Sequence, residues 1–288
     1  MRRRIGWLDS AEQVEVDLNR SALSLDRAFA DVDAIVHLAA PNEAIAVSNP
    51  EQALAETVTA TQRLAAAAVA ARVRRFVYVS TVHVYGETMA HRREISEDAV
   101  PEPRGAYAIA RLASEHVLST AARDGIEVVI LRLTNSVGAP AHPSVQRWTL
   151  VANDLCRQAV VDESLKLRSD GTQWRDFVPL VDVCRALTTA ACTARPGPGT
   201  YNLGSGTPMT VRDLARLVQD SVERHTGKRP PLHAPDPAAA PAPPCVVRTE
   251  RLARAGLTLT GSVAEAVDET VEFCLANKGA ITAMSEIG

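Results

Sequence analysis

The chain has 288 residues, 46% apolar and 23% charged, with a net charge of −3; that is an ordinary globular balance, long enough for a sizeable core. Scattered basic residues at near-neutral charge exclude a phosphate-backbone binder, so no nucleic-acid partner is expected, and the one compact basic run, Arg2 to Arg4, reads as a solvated terminus. Five cysteines without a C-x-x-C pair and seven dispersed histidines exclude a disulfide framework and a metal site; with no apolar run of membrane length and no leader, the expectation is a cytoplasmic protein with reduced thiols and no membrane partner.

In chain order, Val14 to Val16 is a candidate short strand and Ala34 to Ala40 (AIVHLAA) a firmer one. Glu51 to Arg72 is alanine-rich without Gly or Pro and predicts a long helix. Arg75 to Ser80 (RFVYVS) is a continuous β-branched and aromatic run, as in a strand covered on both faces. Tyr107 to Arg123 predicts a helix and Glu127 to Leu133 (EVVILRL) another buried strand. The alternation predicts an α/β fold: a Rossmann-like, doubly wound parallel sheet over residues 1–140, followed by a small α/β substrate-binding region over 141–288, some of whose segments return to the sheet. In that second part, 145–160 reads as a helix, Asp170 to Leu180 as a loop entering a strand, and Asp182 to Thr193 as a helix. Tyr201 to Leu203 reads as a short strand, Val211 to Thr226 as a helix, Leu232 to Pro244 as a Pro/Ala surface loop, and Val263 to Ala276 as a closing helix.

The spacing that carries chemistry is Tyr107-Ala-Ile-Ala-Arg111, because positions i and i+4 share a helix face. A phenol ionises near pH 10, and a cation fixed beside one favours the phenolate, which makes it usable as a general acid or base. The competing reading is a surface Tyr–Arg pair. Ser80 and Thr81 stand at the carboxyl end of a strand, where open α/β sheets bind ligands. Thr81 could hydrogen-bond a substrate oxygen there; the alternative for both hydroxyls is a helix cap or turn.

Six motifs follow in order: HLAA (His37 to Ala40), VSTVHVYG (Val79 to Gly86), YAIAR (Tyr107 to Arg111), LRLTNSVGAP (Leu131 to Pro140), DGTQWRDFV (Asp170 to Val178) and YNLGSG (Tyr201 to Gly206). Their succession, over roughly residues 14 to 275, resembles the extended short-chain dehydrogenase/reductases, the nicotinamide-dependent nucleotide-sugar epimerases, dehydratases and reductases. The resemblance implies Thr81, Tyr107 and Arg111 as catalytic residues. It implies Asp17, Leu38, Ala39, Ala40, Ser80, Tyr107 and Arg111 at an NAD or NADP cofactor, and Thr81, His83, Asn135 and Arg175 at a nucleotide-sugar substrate. Asn135 and Arg175 would meet its diphosphate; their other readings are a strand-end turn and an ion pair with Asp176. Dehydratases of the family carry Asp-Glu directly after the hydroxyl residue, where this chain has Val82-His83, so dehydration is disfavoured and epimerisation or ketoreduction remains. His83 is a candidate substitute acid, against a packed or solvent-facing histidine. A homodimer through the Glu51 helix and the Tyr107 helix is also implied.

The chain departs from that pattern on the cofactor side. No G-x-x-G-x-x-G occurs, and the expectation is that the first strand and glycine-rich turn of the fold are absent, which leaves AIVHLAA with an open edge. Arg111 replaces a Lys, and Thr57-Val-Thr-Ala60-Thr61 stands where the family shows N-V-x-G-T. Asp17 matches an adenine-contacting acid or a turn residue, and Arg2 to Arg4 give a slight lean to NADP. Two functions follow: an NAD(P)-dependent nucleotide-sugar epimerase or ketoreductase, or a degenerate or truncated relative that binds a sugar nucleotide without redox catalysis.

Overall fold

The computed structural model describes residues 11–18, 25–145, 147–236 and 243–285, so the Arg2 to Arg4 run lies outside the described residues. In chain order it begins with α1 (Leu25–Ala28), β1 (Ala34–His37), α2 (Glu43–Ser48), α3 (Pro50–Ala70) and β2 (Arg75–Thr81). Next come α4 (Glu87–Ala90), β3 (Glu94–Ile95), α5 (Gly105–Ala121), β4 (Glu127–Leu133), β5 (Asn135–Val137), α6 (Val151–Arg157), β6 (Leu165–Lys166) and β7 (Trp174–Pro179). The remainder is α7 (Leu180–Cys192), β8 (Gly199–Leu203), β9 (Pro208–Thr210), α8 (Val211–Thr226), β10 (Leu232–His233), β11 (Val246–Val247), α9 (Glu250–Arg254), α10 (Val263–Ala276) and α11 (Lys278–Ser285). No described helix is long and apolar enough to cross a membrane.

Two compact units share these elements. The first holds residues up to His91, Asp98–Arg132 and Leu187–Tyr201; the second holds Arg92–Glu97, Leu133–Ala186 and the residues from Asn202 on. Unit 1 is built on a four-stranded parallel sheet in the order β1-β2-β4-β8, with β1 paired to β2 from Ala34↔Arg75 to His37↔Tyr78. This is the Rossmann-like α/β fold that the alternation predicts. The apolar runs decide it: Phe76, Val77, Val129 and Leu131 are fully buried, which two covered faces of a parallel sheet require. Its core joins Leu64, Ala65 and Ala68 of α3, Phe76 and Tyr78 of β2, Leu118 and Ala121 of α5, and Val128 and Ile130 of β4. The long helix starts where Asn49 accepts a hydrogen bond from Gln52 N and Pro50 fills the first turn, whose N–H groups lack helical partners.

Unit 2 packs α6, α8 and α10 around β5 and β7. Thr210 and Ser262 cap α8 and α10 by accepting from Asp213 N and Glu265 N, and Gly227 ends α8 in the left-handed region at φ 71°. β3 belongs here because it pairs with β11, Glu94 opposite Val246.

Several sequence expectations are corrected. Residues 12–17, Val14 to Val16 included, form no ladder. The helix expected over 145–160 shrinks to Val151–Arg157, continues as a π turn over Gln158–Asp162 and ends at Glu163 with φ 52°. The Leu232 to Pro244 loop opens with a two-residue strand, β10, beside β6, because Leu232 and His233 precede its Pro/Ala run. Short α11 follows α10, where Gly279 conceals a helical pattern.

Candidate active site

β2 ends at Thr81, extended at φ −142° and ψ 148°, and the chain turns at once into a 3-10 segment over Val82–Tyr85. Thr81 caps that turn, its Oγ1 accepting from His83 N at 3.2 Å. Its own O–H donates to no described residue, so capping leaves a hydroxyl proton for chemistry. Gly86 closes the turn at φ +43°, where a Cβ would lie 2.0 Å from the Glu102 carbonyl oxygen. The glycine of the VYG motif is thus required by close backbone approach.

Helix α5 packs along β2 and the turn, bringing Tyr107 and Arg111 to them. Tyr107 is half-buried. Arg111 is only 8% exposed, which corrects the surface-pair reading. Its Nη1 donates to Val79 O at 3.0 Å and faces Tyr78 Oη at 3.5 Å. Its guanidinium carbon lies 5.2 Å from the Tyr107 ring centre and 5.9 Å from that of Tyr78. Burial opposes the Arg111 charge, the oxygens of Tyr107 and Tyr78 favour it, and the net shift of its pKa is upward. The arginine therefore fixes a positive charge beside the half-buried phenol while bolting α5 to β2. Among the described residues its Nε is buried without an acceptor.

Beneath Arg111, His37 Nε2 lies 3.0 Å from Thr61 Oγ1, whose hydroxyl donates to Thr57 O at 2.9 Å. With that proton committed, Thr61 accepts from His37, which fixes the neutral Nε2–H tautomer. Burial first, and the Arg111 charge second, lower the His37 pKa to about 4. The Tyr78 phenol is pushed upward by burial against the opposing pull of Arg111. Just past β1, Leu38 and Ala39 are exposed and Ala40 half-buried. Asp17 is exposed on the irregular 12–17 segment, and His83 is an exposed side chain 3.7 Å from Glu43.

Ser80 points elsewhere. Its Oγ donates to Glu115 Oε1 at 2.5 Å, and Arg132 grips the same carboxylate through Nε at 3.1 Å and Nη2 at 2.6 Å. The Arg132 guanidinium also lies 4.8 Å from the centre of the Tyr85 ring. Sequence reasoning passed over this network, though two signals were present: Glu115 follows Tyr107 and Arg111 at four-residue steps on one helix, and Arg132 interrupts an apolar strand.

In unit 2, Asn135 Nδ2 donates to Asp176 O at 3.0 Å, which makes the strand-end residue a tie between β5 and β7. Arg175 is exposed and donates to its own neighbour's carbonyl, Trp174 O, at 2.9 Å. The alternative reading of Arg175, an ion pair with Asp176, gives way to a different arrangement. The buried Asp176 carboxylate accepts from Thr134 Oγ1 at 2.9 Å, Ser205 N at 2.8 Å and Ser205 Oγ at 3.1 Å, and burial raises its pKa against those bonds. A Cβ on Gly204 would come within 2.7 Å of the same carboxylate. Three of the six motifs, LRLTNSVGAP, DGTQWRDFV and YNLGSG, thus meet at one buried acid. A separate cavity of about 410 Å³ in this unit is edged by Lys278 and Arg229, which pair with Glu163 and with Asp220 and Glu223.

The "NAD dependent epimerase/dehydratase family" matches residues 2–204. A dTDP-glucose 4,6-dehydratase of Streptomyces niveus is 28% identical over 214 residues, covering 72% of this chain and 61% of its own length. The chain therefore spans less than two thirds of that relative. The UDP-glucose 4-epimerase of Thermotoga maritima, solved with UDP-glucose, shares the fold at a TM-score of 0.79 and 23% identity, over 92% of this chain and 84% of its own. MoeE5, solved in complex with UDP-glucose and NAD, superposes at a TM-score of 0.75 and 27% identity, over 92% and 86%.

Proposed function

The chain belongs to the NAD dependent epimerase/dehydratase family, and from that premise we propose that it is an NAD(P)-dependent nucleotide-sugar epimerase or ketoreductase working through Thr81, Tyr107 and Arg111. The observation that carries this reading is the buried Arg111 guanidinium set 5.2 Å from the ring of the half-buried Tyr107 on a helix packed against the strand that ends in Thr81. Tyr107 exchanges a proton with the sugar hydroxyl or carbonyl being interconverted, Thr81 donates its uncommitted hydroxyl proton to the same oxygen, and Arg111 holds a fixed charge beside the phenol. The small side chains Ala39 and Ala40 past β1 and the Arg111 Nε without an acceptor fit the nicotinamide ribose end of a dinucleotide. When bound, NAD(P) supplies a hydride acceptor or donor. No glycine-rich turn for its pyrophosphate lies in this sequence.

Elimination of water needs an acid and a base of its own. The residues after Thr81 are buried Val82 and exposed His83, and neither brings a carboxyl group, which favours epimerisation or ketoreduction over dehydration. The substrate diphosphate is assigned to Asn135 and Arg175, and the active form to a homodimer through α3 and α5. Tyr107→Phe is expected to reduce turnover of UDP- or dTDP-hexoses by at least 10²-fold while calorimetry shows unchanged sugar-nucleotide binding; unchanged turnover sinks the enzyme reading. If the wild-type chain binds sugar nucleotide but neither dinucleotide, the binding-protein reading takes its place.

A further inference from the structure

The buried network around Glu115 spans both arms that carry the chemistry. Ser80 lies next to Thr81 on β2, Tyr85 ends the turn that Thr81 caps, and Glu115 sits two helical turns beyond Tyr107 on α5. Arg132, on the neighbouring β4, is the fourth member. Glu115 and Arg132 are 5% and 6% exposed, and Ser80 3%. A charged pair withdrawn this far from water is costly, and replacing it with apolar side chains is often neutral or favourable. A buried pair of this kind is thus weak evidence of a stabilising role. Geometry gives it another role. One Glu115 carboxylate holds the penultimate residue of β2 through one oxygen and both oxygens hold the fork of Arg132, whose guanidinium covers Tyr85. A bidentate clamp of this kind admits one relative placement of strand, turn and helix. Among the described residues Arg132 Nη1 is buried without an acceptor.

We propose that Glu115, with Arg132, is a positioning residue: it sets the distance between the Thr81 hydroxyl and the Tyr107 phenol by tying Ser80 to α5, without touching substrate or cofactor. This deepens the enzyme reading and rests on it for the catalytic half of its test. It also explains why Ser80, adjacent to a reacting residue, turns its hydroxyl inward. Misplacement of reacting groups by about 1 Å can cost up to 10²-fold in rate.

Ser80→Ala removes one tie and leaves the ion pair intact, and Glu115→Gln weakens the clamp while keeping an oxygen for Ser80. In both, kcat is expected to fall about 5- to 50-fold with KM for the sugar nucleotide within twofold. Hydrogen exchange is expected to accelerate at the amides of 81–85 and 105–109, with α3 unchanged. Restoration of kcat by Ser80→Thr, which returns the hydroxyl, completes the expected pattern. Exchange that stays at wild-type rates in 81–85 and 105–109, or kcat unchanged in folded Ser80→Ala, overturns the proposal. The exchange arm needs no turnover. A wild-type chain inert towards every sugar nucleotide therefore removes the enzyme reading, while that arm still decides whether the clamp fixes the two arms.

Discussion

A single histidine links the sequence motif, the buried cluster and the pH behaviour of the protein. His37 opens the HLAA motif, is 3% exposed and donates to Thr61. Its pKa is lowered from 6.5 to about 4, by burial and then by Arg111. The unfolded chain therefore binds a proton that the folded chain refuses between those two values. Above pH 6.5 both states are neutral at this residue and its contribution is fully present; as pH falls towards 4 the unfolded state is progressively favoured. The loss across that window is about 3 kcal/mol. His37→Gln keeps a donor for Thr61 and cannot titrate. Urea melts at pH 7 and pH 4 are expected to show the variant losing about 3 kcal/mol less than the parent, and equal losses refute the assignment. The sequence made His37 visible as a motif residue but not as a buried base. Its titration depends on burial and on Arg111, 74 positions away, and both act on it only in the fold.

Elements were legible where periodicity is strong and obscure where pairing partners are remote. Apolar continuity made β2 and β4 readable, and alanine-rich composition made α3 readable. β3 and β11 are two residues long and exist because Glu94 and Val246 find each other across 151 intervening positions, which no local window reports. Adjacency offered Asp176 as an alternative partner for Arg175, yet it serves Thr134 and Ser205 on other segments. The resemblance, conversely, named helices whose assembly role the sequence alone leaves open. α3 and α5 pack against each other, and each carries a large exposed apolar side chain, Leu54 at 37% and Ile109 at 44%. We assign these to the proposed dimer contact. The double variant Leu54→Glu/Ile109→Glu is expected to sediment as a monomer where the parent sediments as a dimer. Its stability as a protomer should change by less than about 1 kcal/mol, since both positions face solvent within one chain. A parent that is monomeric at micromolar concentration would refute the contact.

At the scale of the whole molecule, the proposed function raises the question of where a dinucleotide would meet a chain with no glycine-rich turn in its sequence. In open α/β sheets ligands lie beyond the carboxyl ends of the strands. In unit 1 the carboxyl ends of adjacent β1 and β2 lead to two different surfaces: Leu38 and Ala39 exposed beyond the first, Thr81 buried at the end of the second. Under the proposed function, Ala39 and Ala40 past β1 would be the residues beside the dinucleotide, and Thr81 and Tyr107 would supply the proton chemistry. A carboxylate placed at Ala39 would crowd the nicotinamide ribose end proposed there without disturbing the core, since Ala39 is exposed. Ligand bound only by the folded state stabilises it by RT ln(1 + [L]/Kd), about 2.7 kcal/mol at a hundredfold excess over Kd. Saturating NAD or NADP is therefore expected to raise the melting temperature of the parent by several degrees. Ala39→Asp should keep the parent's unliganded melting temperature and lose most of that rise, because its affinity falls by about a hundredfold. An equal rise in parent and variant would move the dinucleotide away from β1, and no rise in either would overturn the NAD(P) assignment.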